Sequence, residues 1–223
     1  MANLQYVYET LKKKNPGAFI TQGFLRSDVL LTAANSNINF SFLQTQSIPT
    51  VKCQTLQPAD AFCVTAIAMK IYKDTVDTGA GVVTPAGIAP TVDYSYPNAS
   101  VFSGSGEAAN LESLYNGFLQ VTIQKRVIFS QFPAYKFRRV NTSQKGTQSA
   151  TTFATAPAEE QYGVNGSLVG LEPTINMNGG WTMNFQLIPP AALNLAGTTS
   201  NNFVSLILDG FLLQNAANYS FAD

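Results

Sequence analysis

The chain has 223 residues, enough for one large β domain or two small ones, and its 45% apolar content argues against disorder. Charged residues make up 12%, about half the usual share, with 13 cations balanced by 13 carboxylates and no histidine. The missing imidazole excludes Ser-His and Cys-His nucleophile pairs, most catalytic zinc centres and the commonest general base.

Near the N-terminus Leu4, Val7, Tyr8 and Leu11 recur at helical spacing, Lys12, Lys13 and Lys14 favour the C-terminal end of the helix dipole, and Asn15-Pro16-Gly17 stops it. The expectation is a one-sided amphipathic arm of about three turns, packed on the body of the chain or against a neighbouring subunit, nucleic acid or a membrane. The leading Met-Ala-Asn-Leu-Gln lacks the basic-then-apolar pattern of a secretory signal, which points to synthesis in a reducing cytoplasm. Cys53 and Cys63 match no zinc or redox spacing and are expected as buried thiols.

Strands follow. Residues 23–31 carry Leu25, Val29 and Leu31 on one side, Arg26 and Asp28 on the other. Residues 38–42 alternate, and residues 62–72 are apolar on both faces, as a strand buried between layers is. Residues 75–106 are dense in Gly, Pro, Ser, Thr and Asp and read as a long surface excursion containing Tyr94 and Tyr96; residues 142–170 read as a second.

In the middle, residues 107–115 are good helix formers between Gly106 and Gly117 and predict a short connecting helix. Leu119, Val121 and Ile123 then alternate, a Lys125-Arg126 turn follows, Val127 to Phe129 begin the next strand, and Tyr135 and Phe137 oppose Lys136 and Arg138 in a further alternation. Lys125, Arg126, Lys136, Arg138, Arg139 and Lys145 form a basic run, whereas no Lys or Arg follows Lys145. Regions of opposite sign on one chain can pair head to tail between identical subunits; a solvated strand face explains the same residues.

The closing third echoes the opening one. Met183-Asn184-Phe185-Gln186-Leu187 matches residues 38–42 position by position, and the long strand of residues 203–213 matches that of residues 62–72. Two small β-sandwiches in tandem follow from that reading: an arm and first unit over 1–106, a connecting helix and second unit over 107–223. The alternative is one domain over 17–223.

No catalytic signature is present. Glu159-Glu160 lie in a loop, Asp60, Asp74 and Asp77 flank strand ends, and Gly104-Ser105-Gly106-Glu107 lacks the Lys-Ser/Thr of a phosphate-binding loop. The expectation is a protein that is not an enzyme, with no catalytic, metal or cofactor residues and no small-molecule substrate.

The paired strands at Ile38 and Met183, the paired long strands at Phe62 and Phe203, and the joining helix at Glu107 resemble the jelly-roll capsid proteins of tailless icosahedral bacteriophages, in particular the double jelly-roll type. The resemblance implies an all-β jelly-roll sandwich that self-assembles, as homotrimeric capsomers, into a virion shell formed in the host cytoplasm. It also implies contacts with other virion proteins and an arm directed at an internal membrane or the genome. Candidate subunit contacts are Leu4, Tyr8, Lys12, Lys13, Lys14, Lys136, Arg138, Arg139, Tyr94 and Tyr96. The alternative is a minor or decorating capsid or head-fibre protein with a carbohydrate-binding sandwich, stacking sugars on Tyr94, Tyr96 or Trp181.

Overall fold

A computed structural model describes residues 4–43, 54–74, 93–97, 102, 105–138, 168–197 and 201–216. Helix α1 (Leu4–Lys14) leads into β1 (Phe19–Leu30), β2 (Ile38–Phe40) and β3 (Ala61–Asp74). Helix α2 (Ser105–Glu112) continues as a 3-10 turn (Ser113–Asn116) into β4 (Phe118–Ile123) and β5 (Arg126–Pro133). A second 3-10 turn (Ala134–Phe137) follows, and β6 (Val169–Asn178), β7 (Met183–Ile188) and β8 (Asn201–Gln214) complete the described strands. Among the described residues the protein is thus mostly β, in two four-stranded antiparallel sheets with two short helices. The first sheet has the order β1-β8-β3-β6 and the second β2-β7-β4-β5.

The ladders have a simple arithmetic. β1 pairs with β8, β2 with β7, β3 with β6 and β4 with β5, as in one long hairpin; β3–β8 and β4–β7 then close each sheet. Four of these six ladders join a strand before residue 107 to one after it. The expected division between residues 106 and 107 therefore runs through both sheets, and the described strands form one sandwich, not two in tandem. The cause of the misreading is visible in the register. Ile38 lies opposite Leu187 and Phe40 opposite Phe185, and the long strands β3 and β8 pair from Ala61–Leu213 to Asp74–Asn201. The matched segments are neighbours in a sheet, and neighbours on one face meet the same packing demands.

The core fills the space between the sheets. Leu25, Phe62, Val64, Ile67, Met69, Val204, Leu206 and Leu208 from the first sheet share one cluster with Ile38, Phe40, Leu119, Val121, Phe185 and Leu187 from the second. Each such side chain contributes roughly 1.5–3 kcal/mol on burial. A bulge between Val64 and Ala66 shifts the alternation of β3, so that even-numbered residues face the core before it and odd-numbered ones after it. Opposite the bulge, Gly210 has no room for a Cβ, which would collide with the Cys63 carbonyl.

Helix α1 forms where the pattern places it. Leu11 is buried against Ala61, Cys63, Phe211, Leu213 and Ala216, with Val7, Tyr8 and Ile20 at the margin of this second, smaller cluster. It thereby covers one end of the outer face of the first sheet. Helix α2 begins two residues earlier than its sequence pattern suggests and tightens into the 3-10 turn before Gly117, where a Cβ would collide with the Ile188 carbonyl. The alternation expected at Tyr135 to Arg138 is absent. Pro133 precedes a 3-10 turn in which Ala134 and Phe137, one turn apart, are both buried, leaving Tyr135 exposed.

Candidate functional site

The outer face of the first sheet holds a buried ion cluster built by register. Asp28, Ser205 and Lys70 stand side by side on β1, β8 and β3. Arg26, one step along β1, donates through Nε to Asp28 at 2.8 Å and through Nη2 to the Ser205 hydroxyl at 2.8 Å. It also grips Asp93 through Nη1 at 2.7 Å and Nη2 at 3.1 Å, the bidentate arrangement that suits a planar guanidinium. The Tyr72 hydroxyl donates to the second Asp28 oxygen at 3.0 Å, and the Tyr72 ring lies under the guanidinium and stacks on Phe203. Lys70 is 1% exposed, Asp28 2% and Arg26 8%, so this is a desolvated cluster of two cations and two carboxylates.

Burial alone would lower Arg26, but its bonds to Asp93 and Asp28 outweigh that and hold it above its ordinary value. Burial pushes the Lys70 ammonium below its usual range; Asp93 pulls it back up, while Arg26 adds to the fall. The cluster also ties residues 93–94 to the first sheet. Tyr94 and Ile71 exchange backbone hydrogen bonds of 2.7 and 2.8 Å along the β3 edge, so Asp93 is carried to Arg26 by a strand-like bridge.

A second polar group closes one end of the sandwich. Glu107 of α2 accepts from the Asn202 amide at 2.7 Å and lies 3.4 Å from the Lys73 ammonium, which sits over the Phe102 ring. The Glu107 side chain is buried and ties α2 to β8 and β3.

The expected contact residues do not gather in one place. Leu4 is 44% exposed, Lys12, Lys13 and Lys14 are exposed at the end of α1, and Tyr8 is half-buried against Phe211 with the Lys12 ammonium over its ring. Lys136 lies over the Phe132 ring, and Arg138 pairs with Glu112 at the surface. Tyr94 is turned into the core, edge-on to Phe102, and Trp181 also packs against the core. Both rings are thereby engaged in packing, which weakens their case as a sugar platform. Tyr96 is half-buried beside Ser95. Arg139 lies outside the described residues, as do Cys53, Lys145 and Glu159-Glu160. Cys63 is free, buried and pushed up by burial, which keeps it a protonated thiol.

At the β4–β5 hairpin, Ile123 pairs with Arg126 across Gln124 and Lys125, which have φ of 51° and 64°. Positive φ at both loop residues is the type I′ requirement, normally met by Asn-Gly. Past the turn, Thr122 pairs with Val127 and Val121 with Phe129, so Ile128 is an extra, bulged residue. Val127 and Ile128 are consequently both exposed, at 57% and 41%.

A cleft of about 390 Å³ lies beneath β1 and β8 beside residues 54–60, lined by Leu25, Phe62 and Leu212 and by Gln54, Gln57 and Asp60. Among the described residues no three His, Cys, Asp or Glu side chains converge to hold a metal, and no helix is long and apolar enough to cross a membrane. No protein-family model, curated protein or solved structure matches this chain.

Proposed function

We propose that this chain is a structural coat subunit with a jelly-roll fold, which assembles with copies of itself, as trimers, into a virion shell. The observation that carries the reading is the strand order. The eight described strands, paired 1–8, 2–7, 3–6 and 4–5 and split into the sheets 1-8-3-6 and 2-7-4-5, follow the path of a long hairpin wound into a sandwich, which supports a jelly-roll reading of the kind used in capsid and lectin domains. The single set of eight strands among the described residues favours the single form of the fold over the double one.

Two further features favour assembly over binding of a small ligand. A charged fraction of 12% leaves a surface with few solvated ions. Large apolar side chains stand exposed at Leu4, Tyr6, Phe19, Phe24, Val127 and Ile128, on the arm, the first strand and the hairpin. On this reading the Lys12 to Lys14 end of α1 faces the virion interior, toward lipid or genome, and the subunit does no chemistry.

Light scattering coupled to size-exclusion chromatography, with electron microscopy of the same fractions, tests the proposal. Trimers or closed shells support it. A monomer at every concentration, binding a soluble glycan, overturns it.

A further inference from the structure

We infer that the β4–β5 hairpin docks onto the exposed β6 strand of a second copy of this chain, with Arg126 facing Glu172. This rests on the coat-subunit reading and names the surface through which copies would meet.

Three local features converge on the hairpin. Its turn holds Gln124 and Lys125 in left-handed conformations that L side chains adopt at a cost, where Asn-Gly would avoid most of the strain. Such strain concentrates where side chains serve a purpose beyond folding. The bulge at Ile128 turns two consecutive apolar residues outward, whereas an unbroken strand would send one of them to the core face. Lys125 and Arg126, both exposed, flank this apolar pair.

Charge selects the occupant. No Lys or Arg follows Lys145 in the sequence, so the segment that carries β6 supplies carboxylates and no cation of its own. Within it Glu172 is exposed on β6, an edge strand of the first sheet, with Pro173 exposed beside it. Proline on that strand disfavours backbone ladder pairing with a newcomer. The contact is therefore one of side chains: Val127 and Ile128 against Pro173, and the basic end of the hairpin against Glu172. Because the two surfaces differ, the contact is head-to-tail and can close into a ring.

The experiment is sedimentation velocity of the full chain over a hundred-fold concentration range, with circular dichroism and thermal melting to verify folding. Val127→Lys with Ile128→Lys, Arg126→Glu alone and Glu172→Arg alone should each weaken self-association at least ten-fold without changing the melt. Arg126→Glu combined with Glu172→Arg should recover most of it. If the wild type assembles and the single variants assemble equally well, the inference falls while the coat reading stands. Weakening without recovery in the double reversal also overturns it, since Glu172 is then not the partner. A wild type that stays monomeric overturns both, including one that instead binds anionic phospholipid vesicles through the hairpin.

Discussion

Arg26 and Asp93 are joined by two hydrogen bonds of 2.7 and 3.1 Å across a face that also contains Ser205 and Lys70. The pair holds residues 93–94 against β3, because Asp93 immediately precedes the Tyr94–Ile71 bridge. Removing one partner of a desolvated pair leaves the other charge short of compensation, which costs more than the pair contributes. Asp93→Asn should therefore destabilise the protein by about 3 kcal/mol, at the low end for buried pairs because Asp93 keeps 22% of its side chain exposed. Urea unfolding measures the loss, and hydrogen exchange should report faster exchange of the Ile71 and Tyr94 amides. Unchanged exchange would mean that the bridge holds without the ion pair.

Gly210 is a different constraint, one of space. The bulge in β3 brings the Cys63 carbonyl onto Gly210, and a methyl group there would overlap backbone, which cannot rotate away as a side chain can. Gly210→Ala should cost about 3 kcal/mol, the upper part of the range for overpacked cores. Gly23→Ala, whose Cβ would meet Leu212 at 4.0 Å, serves as the control in the same sheet and should lie within about 1 kcal/mol of wild type. A melt of the two variants side by side decides the point.

These two residues mark where the sequence could and could not be read. The arm, β1 to β3, α2 and the start of the β4–β5 hairpin follow from periodicity and stop signals, since each buries a face that its own spacing defines. Pairing does not follow, because register depends on partners far away in the chain. The likeness of residues 183–187 to residues 38–42 is legible, but two copies of a unit and two partners in a ladder leave the same trace. Strand β6 went unread: Gly170 and Pro173 interrupt it, as an edge strand allows and a central strand does not. Arg26 and Asp28 were visible on one face of β1, yet nothing local marks Asp93, 67 positions from Arg26, as their partner. The exposure of Val127 and Ile128 depends on a bulge, which alternation alone does not reveal.

Asp209 lies on the outer face of β8, opposite Phe24 on β1 and Ala66 on β3. Burial raises its pKa above the usual carboxylate range. With the folded value above the unfolded one, the group supports folding at low pH, and this support is lost as pH rises through the folded value. At neutral pH the ionised carboxylate is thus a net burden. Asp209→Asn should raise the melting temperature at pH 7 by a few degrees and by less at pH 3, where the wild-type carboxyl is already protonated. An equal gain at both values would assign the effect to something other than ionisation.

Tyr115 carries the last argument. It sits in the 3-10 turn after α2, 1% exposed, with a buried hydroxyl that has no hydrogen-bond partner among the described residues. A buried hydroxyl left unmatched costs roughly 1–3 kcal/mol relative to one in water, whereas the ring contributes through burial alone. Tyr115→Phe removes the unmatched group and keeps the ring, so it should be neutral or stabilise by about 1 kcal/mol. The same burial pushes the phenol pKa well above its ordinary value, with Arg138 pulling weakly the other way. A raised folded value supports folding below the unfolded value, about 10 for tyrosine, and that support is lost as pH climbs beyond it. The wild type should therefore lose stability above about pH 10 more steeply than Tyr115→Phe, and the gap between their urea midpoints should widen with pH. A substitution that destabilises by more than 1 kcal/mol at pH 7 would mean that the hydroxyl has a partner after all, a bound water being the simplest.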